Sequence, residues 1–105
     1  MSRITHPRLE DVTLPVLLHA LADPARLAIV RRLDSACGES GLACSGAADC
    51  GMPRATLSNH FAILRGAGLV ESRKQGVKVL NRLRRDEVDV RFPGVLDAVL
   101  GVGTP

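Results

Sequence analysis

The sequence predicts a mainly α-helical domain with one small β-hairpin: about five helices plus a two-stranded wing, ordered as a winged helix-turn-helix. Three observations predict it. Residues 53–69, P-R-A-T-L-S-N-H-F-A-I-L-R-G-A-G-L, place Leu57, Phe61 and Leu64 at helical spacing with Ile63 beside them, and Gly66 and Gly68 stand where such a helix would stop. A short helix opening at Cys44 or Ser45, then the turn Gly51-Met52-Pro53, leads into that stretch, which is the order of a helix-turn-helix. After Gly68 the period changes: residues 69–74 and 77–83 read as two strands, with Gln75-Gly76 as the turn between them.

Taken in order, residues 1–9 read as a loosely ordered arm, and residues 10–35 as the first two helices. The first, about Glu10–Leu21, has Val12, Leu14, Val16, Leu17, Leu18 and Leu21 as a broad apolar face, with Thr13 as its cap and Pro15 in its first turn. Asp23 and Pro24 then cap and open a second helix, which buries Leu27, Ile29, Val30 and Leu33 and turns Arg26, Arg31 and Arg32 to water. Residues 36–44 read as a loop or short turn, 44–67 as the helix-turn-helix, 69–84 as the wing, 86–91 as an acidic connector and 93–100 as a last helix. The first and last helices are more apolar than one small core needs, so Leu14, Leu17, Leu18, Val95, Leu96 and Val99 are expected at a dimer seam.

A chain of 105 residues is one domain, and its core is small enough that self-association is an expected supplement. No apolar run reaches the roughly 18 residues of a membrane span, and the first residues lack an apolar signal segment, so a cytoplasmic location is expected. Charge is unevenly placed. Residues 54–85 carry eight basic side chains against one acid, Glu71, a local excess of seven; the remainder carries six basic against ten acidic. A cationic segment in an otherwise acidic chain points to a polyanionic partner.

The outer face of the 53–69 helix is built from Ala55, Ser58, Asn59 and Ala62, with Arg54 near its start and Arg65 near its end. Short side chains let a helix lie deep in the major groove, and hydrogen-bonding groups near its N-terminus can read base edges. Duplex DNA is therefore the expected partner, with an imperfect palindrome as the site of a two-fold dimer. An RNA or single-strand binder usually offers aromatic platforms, and this chain has only Phe61 and Phe92. An enzyme is disfavoured because no G-x-S-x-G, phosphate loop or H-E-x-x-H occurs.

Three blocks, L-A-D-P-A-R-L-A-I-V-R-R-L, T-L-S-N-H-F-A-I-L-R-G-A-G-L-V and R-K-Q-G-V-K-V-L-N-R-L, resemble the ArsR-type winged helix-turn-helix regulators over about residues 14–84. The resemblance implies a homodimeric repressor that leaves its operator when an inducer binds. In the groove helix, Thr56, Ser58 and His60 match the family pattern, while Arg54 and Asn59 depart from its commoner residues. Arg suits guanine and Asn suits adenine, so the departures bear on which bases are read. The expected DNA contacts are Arg54, Ala55, Thr56, Ser58, Asn59, His60 and Arg65 on the helix and Arg73, Lys74 and Lys78 on the wing, the last three following the backbone or minor groove.

The family's arsenic and cadmium sensors carry a C-V-C-D motif; here Cys44 falls at its second cysteine and Leu42 at its first, so the pair is absent. Its zinc and nickel sensors carry Asp and His on the last helix, where this chain has Asp97 and no histidine. No cofactor is expected. Cys37, Cys44 and Cys50 lie within 14 residues but form no C-x-x-C. They remain open to three readings: small buried residues, a thiol-oxidation sensor, or ligands for a soft metal or metalloid inducer.

Overall fold

The computed structural model describes residues 5–36, 42–43 and 52–101. A 3-10 turn at Leu9–Asp11 precedes α1 (Leu14–Leu21) and α2 (Pro24–Ala36); a short strand β1 (Leu42–Ala43) leads to α3 (Arg54–Gly66). The hairpin β2 (Val70–Gln75) and β3 (Lys78–Leu83) follows, then α4 (Arg85–Arg91) and α5 (Val95–Gly101). All five helices and the hairpin root share one mostly aliphatic core around Leu17, Ile29, Val30, Phe61, Leu64, Leu69, Val88 and Leu96. Each such side chain contributes about 1.5–3 kcal/mol on leaving water.

Local rules set most boundaries. The Asp23 carboxylate accepts from the N–H groups of Ala25 (2.9 Å) and Arg26 (3.1 Å), so it caps α2 with Pro24 at the first position. The N–H of Arg26 is the main reason the Asp23 carboxyl lies below its ordinary range. At the end of α3, Gly68 N–H bonds Arg65 O and Leu69 N–H bonds Leu64 O, with Gly68 at φ +76°. This is a Schellman cap. The wing turns at Gly76 and Val77, one residue later than expected, with Gly76 at φ +64° and Gln75 paired to Lys78.

Four expectations change. Helix α1 begins at Leu14 rather than Glu10, because Leu9 and Val12 turn into the core beneath Gly68 and Pro15 cannot lie beyond the first turn. Thr13 occupies the cap position, but its side chain makes no capping bond. Residues 42–43, read as loop, pair with β3 at Leu42↔Asn81 and Ala43↔Leu80, so the sheet has three strands in the order β1-β3-β2. The acidic connector is a helix, α4: Asp86 and Glu87 sit in its positively polarised first turn, and Arg85 pairs with Asp89 one turn on. Its sequence hides this because Val88 alone is buried.

Leu17 and Leu96, expected at a dimer seam, are each 0% exposed and belong to the protomer's own core. Helix α1 directs Leu17, Ala20 and Leu21 inward, and leaves Leu14 at 42% and Leu18 at 43% exposure. Val95 and Val99 are half-buried against the core. The expected short helix at 44–50 lies outside the described residues.

Candidate nucleic-acid interface

Helix α3 is amphipathic in the way its sequence requires. Phe61 and Leu64 are buried, Leu57 and Ile63 pack against the core, and Arg54, Ala55, Thr56, Ser58, Asn59 and Ala62 face solvent. The exposed row has no side chain longer than Asn after Arg54. Pro53 holds the cap position and offers no side-chain acceptor to the first-turn N–H groups. A helix N-terminus of this kind favours an anion such as a phosphate.

The wing is anchored at its root and open at its tip. Val70, Ser72, Asn81 and Leu83 are buried, whereas residues 73–78 are exposed. Ser72 and Asn81 face each other across the hairpin, and the serine Oγ donates to Asn81 Oδ1 at 2.5 Å. Arg73, Lys74 and Lys78 therefore stand on the solvent-exposed half of the hairpin.

The cationic segment divides into two groups. Arg82 pairs across the hairpin with Glu71 at 3.1 Å. Arg84 pairs with Glu87 at 2.8 Å, and that hydrogen bond is the main reason the Glu87 carboxyl lies below its ordinary range. Arg85 joins three acids on three helices: Asp34 of α2, Asp89 of α4 and Asp97 of α5. These three arginines serve the fold. Arg54, Arg73, Lys74 and Lys78 form the exposed cationic group.

Two of the expected DNA-contact residues also have partners within the fold. Arg65 is half-buried, and its Nη1 donates to Ser72 Oγ at 3.2 Å, so it ties α3 to the wing root. His60 is half-buried beside Arg26, with Arg26 Nη1 3.4 Å from its Nδ1. A guanidinium can only donate, so this contact requires the Nδ1 lone pair and leaves the ring hydrogen on Nε2.

Sequence reasoning placed Arg26 in water; it is 8% exposed, and its Nε donates to Ala20 O at 2.8 Å. It joins the α1–α2 corner to α3. No local pattern marks it, since its contact on α3 lies 34 residues away. Cys37, Cys44 and Cys50 lie outside the described residues. An open groove of about 780 Å³ runs between the N-terminal segment and α4, lined by His6, Leu9, Glu10, Glu87, Val90 and Arg91 among others; no residue of α3, β2 or β3 lines it. Among the described residues, no helix is long and apolar enough to cross a membrane.

A family model described as a helix-turn-helix domain matches residues 21–73. The chain is 33% identical over 103 residues to the uncharacterized HTH-type transcriptional regulator YceK of Bacillus subtilis (strain 168), covering 93% of this chain and 97% of that protein. It is 35% identical over 97 residues to the HTH-type transcriptional regulator CmtR of Mycobacterium bovis, covering 91% and 79%. The solved transcriptional repressor BigR from Xylella fastidiosa matches with a TM-score of 0.59 at 25% identity, over 82% of this chain and 84% of that one. A solved ArsR family transcriptional regulator shares the fold, with a TM-score of 0.63 at 24% identity over 84% and 88%. With the solvent-facing helix and the cationic hairpin behind it, the chain belongs to the ArsR-type family of winged helix-turn-helix, DNA-binding transcriptional regulators.

Proposed function

We propose that the protein is a homodimeric repressor that reads an imperfect palindromic operator in duplex DNA, by binding and without catalysis, in the cytoplasm. The observation that carries this is the exposed row of short side chains on α3, from Arg54 to Ala62, beside the open cationic half of the wing. In this reading α3 enters the major groove. Arg54 reads guanine, Asn59 reads adenine, and Thr56 and Ser58 bond to base edges or phosphate while Ala55 allows close approach. His60 offers its Nε2–H to a phosphate. Arg73, Lys74 and Lys78 follow the backbone or minor groove and supply salt-dependent affinity.

Exposed Leu14 and Leu18 on α1 support a subunit contact, with half-buried Val95 and Val99 as the partner face. Two-fold symmetry then sets the groove helices about one DNA turn, roughly 34 Å, apart. The likeness to BigR, a transcriptional repressor, supports repression. Release would come from an inducer, or from oxidation or metalloid binding at Cys37, Cys44 and Cys50.

The test is selection of a site from a randomised duplex pool, followed by binding of Arg54→Ala and Ser58→Ala to that site and its single-base variants. Each replacement is expected to erase about 1–3 kcal/mol of discrimination at one position. Unchanged base preference in both variants removes the assigned role of α3. Tighter binding to the single strands than to the duplex overturns the duplex reading.

A further inference from the structure

Residues 6–9, part of the stretch expected as a loose arm, are bonded to the body of the fold, as is Val12 just after them. The His6 ring Nε2 accepts from the backbone N–H of Ser72 at 2.9 Å. Arg84 donates to Pro7 O at 2.8 Å, and Arg91 donates to Leu9 O at 3.2 Å and to Val12 O at 3.3 Å. Residues 6–12 thus form a strap that joins β2 to α4.

Ser72 is where the strap meets the DNA-facing parts. Its Oγ donates to Asn81 Oδ1 of β3 and accepts from Arg65 Nη1 in the last turn of α3. Among the described strands β2 is an edge, and the Ser72 N–H is directed away from β3 to its open side, where His6 meets it. The residue is 2% exposed with the His6 ring in place, so in the folded chain its N–H relies on that ring as acceptor. His6 supplies that acceptor from 66 residues away.

We infer that His6 is a positioning residue for DNA binding: its neutral ring, by accepting the Ser72 N–H, holds the wing root against the end of the groove helix, and protonation of the ring releases that hold. An imidazolium has no lone pair on Nε2 and cannot accept. The charged groups that face His6 are Glu71 of β2 and Glu87 of α4, which favour the proton, and Arg84 ahead of α4 and Arg65 of α3, which oppose it. Burial is the largest influence, and the net effect lowers the ring's pKa from the ordinary histidine value. The unfolded chain therefore binds the proton more readily than the strapped state. The strap is fully held above the ordinary histidine value and is lost as pH falls below it, through the depressed folded value.

This inference rests on the proposed role of α3 and the wing. The test measures binding to the selected duplex by fluorescence anisotropy, and the His6 ring and Ser72 amide by NMR, at about pH 7.5 and about pH 5.5, the range in which histidines titrate. Wild type is compared with His6→Gln, whose amide oxygen can accept at either pH, and with His6→Ala, which cannot accept at all. His19 and His60 are present in all three and cancel in the comparison.

Wild type is expected to lose about fivefold more affinity than His6→Gln on acidification, the worth of one hydrogen bond, and His6→Ala to show that loss already at the higher pH. Equal pH dependence in wild type and His6→Gln, or unimpaired binding by His6→Ala, overturns the inference. Failure of wild type to bind any duplex at the higher pH would sink the DNA reading instead. The strap is then judged by NMR alone: a Ser72 amide that follows the His6 titration supports the latch, and one that ignores it refutes it.

Discussion

Lys78 and Arg82 lie four residues apart on β3, carry the same charge, and have different environments. Lys78 is at the exposed tip, while Arg82 meets Glu71 directly across the hairpin. Phosphate contact releases counterions, so the lysine should register in the salt dependence of binding and the arginine much less. Lys78→Ala is expected to weaken binding uniformly across sequences and to lower the slope of log affinity against log salt by about 1. Arg82→Ala should leave that slope nearly unchanged and cost no more than about 1 kcal/mol of stability, as its ion pair is partly exposed. A salt titration of both variants, with urea unfolding, checks this. The cationic run in residues 54–85 is visible in the sequence, but its division into two groups is not. Glu71 is in the same hairpin, whereas Asp34 approaches Arg85 from 51 residues away.

At the scale of elements, the end of α3 shows how a local rule and a tertiary contact meet at one glycine. Gly68 has φ +76°, where any side chain is strained, and an added Cβ would lie 3.0 Å from Val12 Cγ2 and 3.2 Å from Leu9 Cδ1. Gly66, two residues earlier, is helical with nothing within 4 Å of such a Cβ. Gly68→Ala is therefore expected to destabilise by about 1–3 kcal/mol, and Gly66→Ala to stabilise by about 0.5–1 kcal/mol. Opposite shifts of the urea midpoint would confirm the contrast; equal shifts would refute it. Both glycines read in the sequence as the stop of a helix. The positive φ of Gly68 and the packing of Leu9 and Val12 beneath it separate their roles. Helix α4 escaped sequence reading because a seven-residue helix with one buried side chain has no apolar period to detect.

At the scale of the molecule, the exposed apolar side chains of α1 are Leu14, Val16 and Leu18, on a chain whose other large aliphatics mostly fill its core. A charge placed at Leu14 and Leu18 does not enter that core, so in the proposed homodimer it should separate the subunits without unfolding them. Leu14→Glu with Leu18→Glu is expected to sediment as a monomer, with a melting temperature near that of wild type at low concentration. Operator affinity should fall about a hundredfold or more, as the two half-sites are no longer engaged by one linked pair. Retention of a dimer by the double variant would place the subunit contact elsewhere. The sequence marked both end helices as over-apolar, yet it could not tell Leu17 from Leu18. Adjacent leucines point about 100° apart around a helix, and the rotation of α1 against α2 decides which of them is interior.

What the sequence by itself determined was everything whose cause lies within a few residues. Asp23-Pro24 starts a helix, Gly68 and Gly76 permit positive φ, and the spacing of Leu57, Phe61 and Leu64 leaves a short-chained face on the opposite side of α3. Caps, turns and amphipathic periods need no distant partner. Tertiary structure alone decided the burial of Arg26, the bond from Arg65 to the wing root, the pairing of Arg82 with Glu71 and of Arg85 with Asp34, and the strap closed by His6. The reason is physical: a long polar side chain takes whichever acceptor or donor folding brings within about 3 Å, and chain order does not specify that neighbour.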